Sequence, residues 1–241
     1  MARLATTSRK ARCLDDLRRR ILTQEYPAGG YLDEAQLAEA YEISRPPLRE
    51  VLNQLAGEDY LVLHKNRGAQ VAPMTHKTMR NFFVAAPMIY AAVSRLAAEN
   101  ATRNQIMQLK DCQLMFRRAI RDGEVAERAL MNQRFHEITG EMADNEYLLP
   151  SLRRLLIDHT RISMTFYNPR NAALAAERTL AADQHDQFIA LIEAGDAEGA
   201  GALAIEHWEL SRASFESFVT PLGMDIPLGT VPGALKRKGA P

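Results

Sequence analysis

At 241 residues, with 30 Lys plus Arg set against 30 Asp plus Glu, the chain can hold two modest domains and is not a polycation that coats nucleic acid over its whole surface. An apolar fraction of 46% and a charged fraction of 25% exclude a disordered chain and predict a packed core. Cys13 and Cys112 are too few for a disulfide framework and too far apart for a thiolate metal knuckle.

No run approaches the roughly 20 apolar residues that span a bilayer, and no apolar stretch follows the basic start, so a cytoplasmic protein with no membrane contact is expected. The neutral total hides a local excess, because Arg3, Arg9, Lys10, Arg12, Arg18, Arg19 and Arg20 face only Asp15 and Asp16. On charge alone, that segment is equally a DNA-facing surface or a solvated helix end.

Leu14, Leu17, Ile21 and Leu22 at helical spacing predict a helix over 10–24, stopped by Tyr26-Pro27-Ala28-Gly29-Gly30. A short helix follows over about 34–41. Ser44 then stands at the N-cap position of a third helix, with Pro46 and Pro47 in its first turn, where a missing amide proton is tolerated. Leu48, Val51, Leu52 and Leu55 form its apolar stripe. Leu61-Val62-Leu63, a turn at Lys65-Asn66-Arg67-Gly68, and Ala69-Gln70-Val71-Ala72 read as a small hairpin closed by Pro73.

Beyond Met74 the pattern is amphipathic helix almost throughout, with breaks near 100–104, 122–123, 144–145, 168–171 and 195–196, which predicts about six helices. The fold class is therefore mainly α: an N-terminal winged helix-turn-helix of three helices plus a small β-hairpin, followed by an all-α antiparallel helical bundle. The expected divisions are a DNA-binding domain over 1–74, a helical effector-binding domain over 75–220, and a loose C-terminal tail over 221–241.

From Leu37-Ala38 through Ser44-Arg45 to Leu48 and Leu52, the sequence has the form of a helix-turn-helix, whose second helix offers its N-terminal residues to base edges. Arg45 and Arg49 stand four apart on one face, and Asn53 continues it. A helix dipole favours acids at the N-terminus, so a DNA partner explains two guanidinium groups there better than the helix does. Ser44, Arg45, Arg49 and Asn53 are the candidate contacts on this helix, and His64, Lys65, Arg67 and Gly68 those on the wing. Arginine can pair with guanine or clamp phosphate, and the sequence leaves both open. A protein-interaction module is the alternative reading.

Leu32-Asp33-Glu34-Ala35-Gln36-Leu37-Ala38, then Ile43-Ser44-Arg45-Pro46-Pro47-Leu48-Arg49-Glu50-Val51-Leu52, then Asn66-Arg67-Gly68-Ala69-Gln70-Val71 resemble the GntR family of regulators. The helical remainder is similar to the FadR-like branch, whose C-terminal part is called the FCD domain, so the likeness covers roughly residues 10–218. It implies a homodimer on a short palindromic operator of double-stranded DNA, touched by Arg45, Arg49 and wing residues near Gly68. Ala35 departs from the polar, sometimes basic residue frequent at its position, so the operator sequence does not carry over.

The histidines form a second pattern. His185 lies ten residues before Gly195 and His207 twelve after it; at about 1.5 Å per residue, antiparallel helices bring the two level within roughly 3 Å. His136 has Asn132 one turn earlier on its own face. Three imidazoles and one amide oxygen suit a divalent transition ion such as zinc, nickel, copper or iron, and hydrogen-bonded core histidines are the alternative. The resemblance adds that many FCD domains bind metal through a carboxylate or amide four residues before a histidine, and two histidines on the last two helices. Asn132, His136, His185 and His207 match, with Asn132 where aspartate is frequent, and zinc or nickel is the expected ion.

Metal-bearing relatives often hold small carboxylate effectors partly on an arginine of the first FCD helix. Here Ala86 and Tyr90 stand where arginine and glutamate are common, which weakens that expectation. Tyr90, Arg134 and Arg161 are the candidate contacts to a small-molecule effector. The expected function is a DNA-binding transcription regulator, a repressor, controlled by that effector. One alternative is a metal-free regulator that holds an apolar or acyl-thioester ligand. The other is a metal-dependent enzyme at the histidines, though no HExxH, nucleophile elbow or phosphate loop accompanies them.

Overall fold

The computed structural model describes residues 8–65, 67–166 and 172–219. Its first part is built as the hydrophobic spacing demands. Helix α1, Arg9–Leu22, is capped by the Ser8 hydroxyl and buries Cys13, Leu17, Ile21 and Leu22. Helix α2, Glu34–Ala40, starts where the Asp33 carboxylate accepts from the amides of Ala35 and Gln36. Helix α3, Arg45–Gly57, buries Leu48, Val51, Leu52 and Leu55. Strands β1, Leu61–His64, and β2, Gly68–Val71, pair antiparallel with Leu61 opposite Val71 and His64 opposite Gly68. Gly68 turns the hairpin with φ +77°, a left-handed conformation that side chains resist.

The second part is helical. Helix α4, His76–Asn100, begins at a Thr75 cap. Helix α5, Arg103–Asp122, has a reciprocal Thr102–Gln105 capping box. Helices α6, Val125–Met142, α7, Leu148–Phe166, α8, Ala172–Ala194, and α9, Ala197–Val219, complete the bundle. The described residues thus contain the six expected helices, although the break proposed at 168–171 and the tail over 221–241 lie outside them. Pro87 sits inside α4 without ending it.

Helix α4 is the central element and packs against α6, α7, α8 and α9. It corrects one expectation, because it is long and apolar enough to cross a membrane, with a mean hydropathy of 1.3. Short side chains such as Ala85, Ala86, Ala91 and Ala92 raise that mean without forming an unbroken run of large apolar residues. In this fold Phe82, Ala86, Tyr90, Val93 and Ala97 of α4 are buried in the bundle core.

The winged part is seated on the bundle through α7. Ile157 of α7 is buried in the same cluster as Leu17, Leu55 and Leu61, and Leu130 of α6 packs against that cluster. Arg161, fully buried, donates from Nη2 to the Ala72 carbonyl at 2.6 Å and from Nη1 to Asp158 at 3.4 Å. The Gln24 side-chain amide donates in turn to the Arg161 carbonyl. Replacing Arg161 by Met leaves a buried carbonyl without its charged donor, so the unfolding free energy should fall by about 1–3 kcal/mol. Urea denaturation measures this, and limited proteolysis should cut the variant faster at residues 72–76.

Candidate functional site

At the N-terminus of α3, Ser44 has extended backbone and makes no side-chain capping bond. The sequence explains this. An N-cap hydroxyl accepts from the second or third helical amide, and those positions are Pro46 and Pro47, which have no N–H. The Ser44 hydroxyl is therefore left exposed at the helix tip beside Arg45. Arg45, Arg49 and Asn53 are exposed along the same helix and enter no ion pair among the described residues.

The basic residues of α1 behave differently. Arg9 pairs with Glu42 at 3.0 Å, Lys10 with Glu50 at 2.5 Å, and Arg18 with Glu58 at 2.6 Å. Arg19 and Arg20 both engage Glu25. The local charge excess is thus largely paired at the surface with acids of the turns and α3, and Arg12 alone among the described basic residues of α1 has no ion pair. On the wing, Lys65 and Arg67 are exposed, whereas His64 is half-buried, with Nε2 at 2.8 Å from the Gln70 side-chain oxygen. Gln70 is itself oriented by donating to the Gly29 carbonyl at 2.8 Å.

In the bundle, α6, α8 and α9 bring His136, His185 and His207 together. One ring nitrogen from each lies within 4.8 Å of the others, and all three residues are buried. The ring centroids are 5.4 Å apart for His136–His185, 5.5 Å for His136–His207 and 5.0 Å for His185–His207. Phe135 stacks on the His185 ring at 3.9 Å. Asn132 is buried on the same face of α6, one turn before His136.

Electrostatics keep these rings neutral. Burial, reinforced by the neighbouring imidazoles, holds His136 and His185 well below the usual histidine range. Burial and then His159 push His207 down to about 3, and burial pushes His159 to about 4. A neutral imidazole has one lone pair to offer a metal. Among the described residues the Nε2 atoms of His136 and His185 are buried with no hydrogen-bond partner, which is uncommon for buried polar atoms.

Beside the triad, Tyr90, Ser94, Thr139, His159 and Trp208 close a small cavity that His136 and His207 also line. The Tyr90 hydroxyl lies 2.7 Å from His159 Nδ1. The free space is about 10 Å³, the room of one water-sized sphere. Tyr90 is the one predicted effector contact found here. Arg134 instead pairs with Glu137 and Glu141 at 3.0 Å each, on the groove between α6 and the winged part, and Arg161 holds the Ala72 carbonyl. Helical spacing on α6 does place Glu137 and Glu141 beside Arg134, whereas the Ala72 carbonyl held by Arg161 lies 89 residues away and leaves no local signal.

His159, Trp208, Ser94 and Thr139 had no sequence signal as a group, because they come from four helices. Gln113 and Gln184, hydrogen-bonded to His185 and His207, were missed for the same reason.

The sequence matches the profile described as "Bacterial regulatory proteins, gntR family" over residues 10–71 and that of the FCD domain over residues 86–210. The chain belongs to the GntR family, in the branch that carries an FCD domain. That family comprises transcription regulators and not enzymes. The Nta operon transcriptional regulator of Aminobacter aminovorans is 27% identical to this GntR protein over 136 residues, 56% of this chain and 63% of the relative. The HTH-type transcriptional repressor RspR of Escherichia coli is 27% identical over 139 residues, 58% of this chain and 61% of the relative. The matches thus span less than two thirds of these relatives' lengths. Among solved structures, Escherichia coli McbR/YncC superposes with a TM-score of 0.74 at 18% identity, covering 88% of this chain and 99% of that one. A transcriptional regulator from Rhodococcus sp. RHA1 reaches 0.63 at 16% identity, covering 88% and 98%. These likenesses confirm a winged helix-turn-helix followed by a helical bundle.

Trp208 is the only tryptophan in the chain and forms a wall of the cavity. Nickel(II) added to tag-free protein should therefore quench tryptophan emission saturably, and a His207→Ala variant should lose that response. Equal quenching of wild type and variant would place the ion elsewhere.

Proposed function

We propose that this protein is a cytoplasmic, homodimeric transcription regulator that represses from a palindromic operator and is controlled by a small-molecule effector at a metal centre. The convergence of three buried neutral imidazoles, two with unpartnered Nε2 atoms, carries this reading. His136, His185 and His207 would hold a divalent ion, zinc or nickel, with the Asn132 amide as a fourth donor. When bound, the ion supplies a Lewis-acidic point on which an oxygen of the effector, or a water, can rest.

The cavity's own residues support a small polar effector. The Tyr90 hydroxyl and the Ser94 hydroxyl can donate and accept, and among the described residues no arginine or lysine lines the cavity. About 10 Å³ is the room of one water molecule and no more. Any organic effector must push side chains aside, and His159 is placed to be pushed. It lies on α7, two residues from Ile157 in the core of the winged part and two from Arg161 on the linker carbonyl. Displacing α7 from the cavity side would alter the seat of the DNA-binding part, giving the effector different affinities for two arrangements of the dimer.

On DNA, α3 would enter the major groove with Arg45 and Arg49 toward the bases. The free Ser44 hydroxyl and the exposed Lys65 and Arg67 suit the flanking phosphates. Two copies would read half-sites about 34–36 Å apart. Duplexes selected from a random pool should show dyad symmetry. Arg45→Ala or Arg49→Ala should weaken the selected duplex by roughly 10- to 100-fold, about 1–3 kcal/mol. No preference for any duplex, or unchanged affinity in both variants, would overturn the reading.

A further inference from the structure

Two glutamines are buried behind the histidine cluster, at 2% exposure for Gln113 and 1% for Gln184. Each has its amide orientation fixed by what its nitrogen meets. Gln113 Nε2 donates to the Ala182 carbonyl at 2.7 Å and to Asp186 Oδ1 at 2.9 Å. Both partners are acceptors, so the amide nitrogen must lie on that side and the oxygen on the other. That oxygen is 3.1 Å from His185 Nδ1. Gln184 repeats the arrangement, with Nε2 donating to Glu206 at 3.2 Å and the oxygen 2.8 Å from His207 Nδ1.

An amide oxygen can only accept, so each Nδ1 must carry its ring proton. A neutral imidazole has one N–H, and Nε2 is then left with the lone pair. We propose that Gln113 and Gln184 are positioning residues of the metal site. Each locks one histidine into the Nδ1–H tautomer and aims its Nε2 at the ion, while Asp186 and Glu206 polarise the amides from the surface. The inference rests on the metal reading above.

The two relays have the same order, carboxylate to amide to imidazole. Asp186 is in turn held by the Arg117 guanidinium. Metal-bound histidines commonly lean directly on a carboxylate or a carbonyl, which orients the ring and raises its basicity. Here an amide is interposed. The inner set, three imidazoles and Asn132, is neutral, and among the described residues the carboxylates of Asp186 and Glu206 reach it through the two glutamines. A glutamine that merely filled space would satisfy its own hydrogen bonds equally well and would leave the ring proton free to choose either nitrogen.

The tautomer can be read without metal. In metal-free protein labelled with 15N-histidine, the ring shifts of His185 and His207 should show a protonated Nδ1 and an unprotonated Nε2. In Gln113→Met the His185 pattern alone should lose the Nδ1–H form, and in Gln184→Met the His207 pattern alone. Zinc affinity, measured by competition with a chromophoric chelator, should fall by roughly 10- to 100-fold in each variant. Asp186→Asn, a change at the exposed end of one relay, should give a smaller loss in the same direction with the core untouched. Unchanged ring shifts and unchanged zinc affinity in the methionine variants would overturn the proposal. If the wild type binds no zinc, the metal reading fails on its own, and the ring shifts still decide whether the relays set the tautomers.

Discussion

A buried polar nitrogen with no hydrogen-bond partner is a liability of roughly 1–3 kcal/mol, and among the described residues this bundle buries two imidazole Nε2 atoms of that kind, on His136 and His185. Around that liability the bundle is arranged with little slack. Phe135 stacks on one ring, Tyr90 meets another edge-on at 5.2 Å, and Trp208 closes the space above. The three rings come from α6, α8 and α9, so an ion between them would add a cross-link among three helices, two of which already share the Gln184–Glu206 and Gln184–His207 hydrogen bonds. Protonation cannot relieve the cluster, because a positive ring in this core would be desolvated and would face other imidazoles. A cation with open coordination positions can.

The same core reaches the DNA-binding part chiefly through α7, with Leu130 of α6 packed beside it. Along α7, Ile157 completes the apolar core of the winged part, His159 faces the cavity, and Arg161 is bonded to the linker carbonyl of Ala72. Three residues within one five-residue stretch of α7 thus touch the cavity, the core of the winged part and the Ala72 carbonyl. Packed interfaces of this kind switch between discrete arrangements rather than deform smoothly, and a displaced His159 would act on the winged part in that way.

Much of this was legible in the sequence because the relevant signals are local. Helical spacing of Leu14, Leu17 and Ile21, the Gly68 turn and the breaks at Gly123 and Gly195 depend on a few neighbouring residues. The family profiles and the fold agree with the mainly α, winged helix-turn-helix reading they led to. His185 and His207 were also legible, since a helical hairpin about Gly195 makes their separation a matter of counting. What escaped was anything set by three or more elements. The charge of α1 looked available until Glu42, Glu50 and Glu58, distant in sequence, were found opposite it. Ser44 was legible as a cap position but not as an unused hydroxyl until Pro46 and Pro47 were placed as its would-be donors. Helical spacing does name Glu137 and Glu141 as partners of Arg134, whereas the Ala72 carbonyl that holds Arg161 has no local signal.

If three imidazoles, and no thiolate, hold an ion, X-ray absorption at the zinc edge on tag-free, zinc-loaded protein should show nitrogen and oxygen at roughly 2.0–2.1 Å with the outer-ring scattering of three imidazoles, lost when His136, His185 and His207 are replaced together. Sulfur scattering at roughly 2.3 Å, which would implicate Cys13 or Cys112, or full retention of zinc by the triple variant, would contradict it.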